Sequence, residues 1–329
     1  MTLTVTKVTP SINWSNPADI AAGTPLGPSQ LNATATYPGG LPPAATGVEG
    51  TFTYTPPAGT VLPQGNNQTL SVQFTPSVPA NFNSASGHVV INVIAPSALA
   101  LASAAGGVSA LAPGSLASAF GAGLAAGQPA SASLPWPTTL DGTSVRIVDS
   151  TGASTPALMT YASSAQVNFQ IPDGVATGAA TITVAASGGA SYSARVNLTA
   201  FAPALFTLNP ANLAAAGIDC VSSSGAQTPG NVYQVVNGAV VPLPVNLAAC
   251  AETVLELYGT GLDQATASGV QVTIGGAAGS VLYAGPQGAW PGLDQINVVI
   301  PASLAGSGNV PVVLTTAGMT SNTVNLTFQ

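Results

Sequence analysis

The side chains able to do acid–base or nucleophilic chemistry are few and scattered. Glu49, Asp141, Asp149, Asp173, Glu252, Glu256, Asp263 and Asp294 would have to supply any carboxylate pair for glycoside hydrolysis. Most of them sit beside turns, as in Asp141-Gly142 and Asp173-Gly174, where a short carboxylate bonds its own backbone. His88 is the only histidine, and a serine hydrolase needs one beside a nucleophile; no Gly-x-Ser-x-Gly elbow occurs. The Asp-rich spacing of a calcium loop is absent. Cys220 and Cys250 are the only cysteines, too few for a four-thiolate zinc site. They read as a disulfide, which would stabilise by roughly 3 kcal/mol through loop closure; two buried free thiols are the alternative. A lysine–asparagine cross-link would have to use Lys7, the only lysine, where a solvated residue is expected. The expectation is a chain with no catalytic residues, no cofactor and no metal.

What remains is surface chemistry. Trp136 in Pro135-Trp136-Pro137 and Trp290 in Gly288-Ala289-Trp290-Pro291-Gly292 lie in loop-like contexts and are candidate surface aromatics, with Tyr161 and Tyr283 beside them as platform candidates. Trp14 reads as a core aromatic. In Gln166-Val167-Asn168 and Gln295-Ile296-Asn297, alternation puts both amides on one face. They would bond neighbouring loops or backbone, or else bind a ligand. Thr2, Leu3, Thr4, Val5 and Thr6 alternate like a strand that could add to a neighbour's sheet.

The elements that position these residues are strands. Among 329 residues, 37 Gly and 28 Pro are spread along the chain and punctuate short runs rich in Val, Thr and Ile. Thr51 to Thr55, Leu70 to Phe74 and Val89 to Val93 alternate, each bounded by turn residues, as in a two-sheet sandwich of about 90 residues. Charge is scarce: Lys7, Arg146 and Arg195 face ten carboxylates, for a net charge of −7. Three cations do not neutralise a phosphate backbone or an anionic lipid surface, so nucleic acid and membrane are not expected partners. So few charges leave strand edges poorly guarded against association. The most Ala- and Leu-rich stretch, 95–111, is broken by Pro96, Gly106 and Gly107 and does not read as a membrane span. No signal peptide is visible at the start, so a secreted reading needs a removed leader or a longer parent chain. Asn-x-Ser/Thr sites occur at Asn13, Asn32, Asn67, Asn197 and Asn325.

Three landmarks recur in the same order. Ser118-Ala119-Phe120-Gly121-Ala122-Gly123-Leu124 returns as Glu256-Leu257-Tyr258-Gly259-Thr260-Gly261-Leu262. Gln166-Val167-Asn168-Phe169-Gln170-Ile171-Pro172 returns as Gln295-Ile296-Asn297-Val298-Val299-Ile300-Pro301, and Val196-Asn197-Leu198-Thr199 as Val324-Asn325-Leu326-Thr327. Two copies of one module follow. The Gly-x-Gly unit has no helix or lysine after it, which argues against a phosphate loop. Between the copies, Asn237-Gly238 flanked by Val235-Val236 and Val240-Val241 predicts a hairpin. Hairpin and disulfide together would brace the joint between the copies.

The first segment resembles a bacterial immunoglobulin-like tandem repeat of large surface proteins, through 6–14 (TKVTPSINW), Gln30 to Thr34, Phe52 to Pro56, Leu70 to Pro76 and Asn81-Phe82. The remainder is similar to the Solibacter-type C-terminal domain family, found at the ends of many secreted bacterial proteins and consisting of two immunoglobulin/TIG-like modules. That match rests on Ala112 to Ser115, Pro137 to Gly142, the two Gln-x-Asn landmarks, Leu257 to Leu262 and Gly308 to Val312. The resemblances imply an all-β chain of three immunoglobulin-like β-sandwich modules in a row, at an extracellular or cell-surface location, and bring no activity with them. The expected organisation is 1–95, 96–201, a connecting insert at 202–250, and 251–329. The expected role is a non-catalytic structural protein that polymerises with itself head to tail as a surface filament or sheath. An adhesin or carbohydrate-binding module for surface glycans is the alternative, and a passive spacer a third.

Overall fold

A computed structural model describes residues 6–22, 24–37, 47–94, 97–125, 128–186, 189–263 and 265–329. The described residues are all-β: strands in sheets that are antiparallel apart from the parallel pair of Ile20–Ala21 with Ala85–Ile94, three one-turn 3₁₀ segments and no α-helix. No described helix is long and apolar enough to cross a membrane. The chain forms two compact units, Met1–Ser97 with Gly189–Tyr192, and Ala98–Gly188 with Ser193–Gln329.

The first unit contains β1 (Ser11–Asn13), β2 (Ile20–Ala21), β3 (Thr34–Thr36), β4 (Gly50–Thr55), β5 (Gly65–Pro76) and β6 (Ala85–Ile94). One sheet runs β2–β6–β5–β4 and a second pairs β1 with β3. Alternation decides which side chains turn inward. In β5, Leu70, Val72 and Phe74 are buried, and Leu70 packs with Ile20, Leu26, Leu62, Val89, Ile91 and Val93. Trp14 packs half-buried against this core, its ring edge-on to Tyr54 at 5.4 Å and its Nε1–H donating to the carbonyl of Gln30 at 3.0 Å. The order ends on β4, whose Thr51, Thr53 and Thr55 are exposed.

After β7 (Ser97–Ala98), at the division between the units, the second unit holds β8 (Ala100–Ser103), β9 (Leu116–Phe120), β10 (Ala130–Ser131), β11 (Thr139–Leu140) and β12 (Thr143–Val148). It continues with β13 (Ser154–Pro156), β14 (Leu158–Ala162), β15 (Gln166–Gln170), β16 (Gly178–Ala185) and β17 (Ser191–Leu198). Sheets in the orders β10–β14–β15–β9–β8 and β11–β12–β16–β17 make the sandwich of the first copy.

The second copy holds β18 (Ala204–Leu205), β19 (Ala216–Val221), β20 (Gln227–Asn231), β21 (Tyr233–Val236), β22 (Ala239–Pro242) and β23 (Glu252–Thr260). It closes with β24 (Val270–Ile274), β25 (Ala277–Pro286), β26 (Asp294–Val299), β27 (Gly308–Thr316), β28 (Met319–Thr320) and β29 (Val324–Phe328). Its strands run β20–β19–β23–β26–β25–β24–β27–β28. Strand β25 serves two sheets, pairing with β24 through Ala277–Gly279 and with β26 through Ser280–Pro286. That switch folds one half of the ribbon over the other around Leu255, Ile296, Val312, Leu314 and Leu326.

The sequence repeat is a repeat of register. Asn168 pairs with Ser118 as Asn297 pairs with Glu256, and Gln166 with Phe120 as Gln295 with Tyr258. The next strand slips at the same place in both copies, between Met159 and Tyr161 and between Val281 and Tyr283. A bulge kept in both copies is a designed feature of the strand.

Residues 202–250 do not stand apart between the copies. Strands β18 and β19 pair directly with β23, and β20 extends the same sheet. The Asn237-Gly238 hairpin forms with φ of 50° and 79° at the two turn residues, joining β21 to β22. Cys220 and Cys250 form a disulfide with Cα atoms 5.3 Å apart. Because Cys220 lies on β19 and Cys250 just ahead of β23, the bond ties two neighbouring strands of the second copy. It does not brace the joint between copies, contrary to expectation. Disulfides persist in oxidising compartments, so this one indicates a non-cytoplasmic setting.

Candidate functional site

Within the second unit the joint between copies is made by backbone and small polar groups. The Thr260 hydroxyl accepts from the Leu116 N–H at 2.8 Å and donates to the Gly292 carbonyl at 2.7 Å. Gly292 has φ 73°, and a Cβ there would lie 2.7 Å from the Gly114 carbonyl oxygen, so only glycine lets the two chains approach. The β25–β26 loop is also tied internally: Gln287 N–H donates to Leu293 O at 2.8 Å, Leu293 N–H to Trp290 O at 3.1 Å, and Ala289 N–H to the Gln287 side chain at 3.0 Å. The Tyr283 hydroxyl donates to Pro286 O at 2.6 Å.

This fixed loop carries Trp290, and the first copy presents Trp136 to it. The rings lie 6.1 Å apart, inclined at 44°. Trp290 is 50 % exposed, as a surface aromatic should be, but Trp136 is only 9 % exposed. The reading of Trp136 as a surface residue is therefore corrected. Its indole packs against Trp290 of the other copy, a partner that local sequence cannot reveal. Trp290 borders two hollows. One, of about 290 Å³, is largely apolar and includes Trp136, Phe206 and Leu293. The other, of about 620 Å³, is an open cleft whose walls include Pro135, Gln170, Asp173, Asp263 and Pro291.

The acids of the cleft converge from separate strands. Asp173 follows β15, Asp263 follows β23, and both approach Gly114, whose missing Cβ would lie 3.1 Å from Asp263 Cβ and 3.3 Å from Asp173 Oδ1. The Gln170 amide, buried at the base, donates to Asp173 Oδ1 at 3.1 Å and to the Gly114 carbonyl at 3.4 Å. Burial, helped by the charge of Asp263, pushes the Asp173 carboxyl up from its ordinary value. Behind the cleft, Asp294 accepts from the Leu262 N–H at 2.7 Å. Burial raises its pKa to about 7, with Asp263 adding to the rise and the Leu262 hydrogen bond opposing it. Sequence reasoning placed Asp173 at a turn and missed the convergence of the three acids. The available signal was position, since each of the three adjoins a repeat landmark.

The other candidates fall elsewhere. The amides satisfy each other: Gln166 Nε2 donates to Asn168 Oδ1 at 2.7 Å and Gln295 Nε2 to Asn297 Oδ1 at 2.9 Å. Asp149 accepts from the Thr151 hydroxyl and from the N–H groups of Thr151, Ala153 and Ala176, as a turn-fastening carboxylate does. His88 opens onto a shallow face of β4–β6 lined by Thr53, Ser71, Gln73 and Ser86. Lys7 and Thr6 are exposed, and Thr2, Leu3, Thr4 and Val5 lie outside the described residues. Among the described residues no group of three His, Cys, Asp or Glu side chains is placed to hold a metal ion.

No family model matches this sequence, and no curated protein sequence matches it.

Proposed function

We propose that the chain is a non-catalytic extracellular structural protein that associates with further copies of itself through sheet edges, head to tail, as a surface filament or sheath. The observation that carries this reading is the composition of the terminal strands. One sheet of the first unit ends on β4 (Gly50–Thr55) and the long ribbon of the second on β20 (Gln227–Asn231), both largely exposed and neither bearing a charge. A charge-free outer strand is the kind of edge that proteins normally guard. Polar, β-prone Thr-Phe-Thr-Tyr-Thr in β4 fits pairing with an incoming strand. The apolar hairpin adds to this, with Val235 and Val236 turned to solvent. A contact between two unlike edges that does not close into a ring propagates as a fibre.

Light scattering and negative-stain imaging of the concentrated, tag-free chain test the reading. Oligomers that lengthen with concentration are expected, and Thr53→Lys, which places a charge on the β4 edge, should shorten them. Removal of residues 1–8 tests whether the segment Thr2 to Thr6 contributes. A monodisperse monomer at every concentration and ionic strength sinks the proposal.

A further inference from the structure

We propose that the cleft beside Trp290 binds a neutral saccharide, one sugar ring lying against the indole with its hydroxyls on Asp173, Asp263 and Gln170. This goes beyond self-association and does not depend on it.

Trp290 is the starting point. Packing on Trp136 occupies part of its surface, yet half of the indole faces solvent in a loop held by hydrogen bonds at Gln287, Ala289 and Leu293 and anchored through Gly292 to Thr260. A fixed aromatic surface loses little entropy when a ligand covers it. The cleft volume of about 620 Å³ lies within the roughly 300–1,000 Å³ usual for ligand pockets.

The walls specify an amphipathic ligand. The lining combines the indole, Pro135 and Pro291 with two carboxylates and an amide. A pyranose has the matching anatomy, with C–H groups on its faces and hydroxyls around its rim. Carboxylates accept from those hydroxyls, and the amide both donates and accepts. No Lys, Arg or His lines the cleft, so phosphate- and sulfate-bearing ligands are disfavoured there. A purely apolar ligand would strip water from the acid wall while offering it no donors, which is unfavourable.

The test uses the full chain and a panel of oligosaccharides with gluco, manno, xylo, galacto and N-acetylglucosamine units in α and β linkage. The readouts are indole fluorescence and its quenching by acrylamide. The chain has three tryptophans, and Trp136 is buried, so Trp290 is the indole in this unit that a ligand could shield. At least one oligosaccharide should shift the emission and protect against acrylamide. Trp290→Ala should weaken that binding about tenfold or more, and Trp290→Phe should restore part of it. Asp173→Asn should weaken it severalfold. Should the alanine variant misfold, protection in the unaltered chain still decides. The proposal fails if no oligosaccharide protects at millimolar concentration, if Trp290→Ala binds as well as the parent, or if only tetramethylammonium protects. That last result would make the site one for organic cations.

Discussion

Asp149 in the first copy of the repeat and Asp294 in the second are both shielded from solvent, at 8 % and 3 % exposure, yet their pKa values move in opposite directions. Asp149 is held down to about 2, first by the Thr151 hydroxyl and then by the N–H groups of Ala176, Thr151 and Ala153. It lies at the rim of the fold, covered by its own turn, so it exchanges water for donors and keeps its charge at little loss. Asp294 sits deeper and receives the single Leu262 N–H, and desolvation carries it up to about 7. The first copy shows why the second needs an acid there. Leu124, the counterpart of Leu262, donates its N–H to the main-chain carbonyl of Ser164 at 3.1 Å. In the second copy a side-chain carboxyl substitutes for that carbonyl. Burial alone thus does not decide a carboxylate's state; the number of donors set against the depth of burial does.

The largest test of this contrast is the pH dependence of the second copy. Asp294 in the unfolded chain titrates near 3.8, and in the folded chain near 7. Between these values the folded state holds one more proton, so stability is complete below about pH 4 and falls as pH rises through 7. The loss is up to about 4 kcal/mol at 1.36 kcal/mol per pKa unit. Asp294→Asn keeps an acceptor for Leu262 without a titrating proton, and urea unfolding between about pH 4 and 8 should show this slope flattened. Asp149 has the opposite sign: its lowered pKa contributes stability above about pH 4 that is lost as pH falls towards 2, and Asp149→Asn should weaken the chain at neutral pH. Equal slopes in the parent and Asp294→Asn would break the comparison.

The disulfide is the next largest difference between the copies, since it belongs to the second alone. Replacing Cys220 and Cys250 by serine should cost about 3 kcal/mol through loop closure in the unfolded chain. The loss should be local. Amide hydrogen exchange should quicken in β19 and β20, which the bond fastens to β23, and stay unchanged in β9 and β15. Equal loss of protection in both copies would restore the role of a brace across the joint.

Much of this fold was legible because its signals are short-range. Alternation placed the strands at Leu70–Phe74 and Val89–Val93, and Asn237-Gly238 marked a turn whose positive φ values suit those residues. The repeated landmarks anticipated a shared register, because the same face pattern demands the same pairing. What stayed hidden depends on contacts distant in sequence. Nothing near Pro135-Trp136-Pro137 says that a second indole from the other copy will pack against it. Nothing near Cys220 says that its strand joins β23 rather than bridging the copies. Asp173 looks like a turn residue alone, nothing near Asp263 or Asp294 announces a partner, and only folding brings Asp263 within reach of both other charges.

The smallest test concerns the amide pairs that both copies keep. Asn168 Oδ1 accepts from Gln166 Nε2 at 2.7 Å and also from the Ser118 hydroxyl at 2.9 Å. Asn297 accepts from Gln295 Nε2 at 2.9 Å, while Glu256, standing where the first copy has Ser118, takes a long 3.4 Å contact from the same amide. Removing Asn168 strands two donors in a half-buried site, whereas removing Asn297 leaves Gln295 a carboxylate to turn to. Asn168→Ala should therefore cost about 1 kcal/mol and Asn297→Ala roughly half of that, read from urea midpoints at one pH. The reverse order would mean that Glu256 repels or releases Gln295 when Asn297 is gone. The charge introduced in the second copy would then be a liability that its amide normally holds in place.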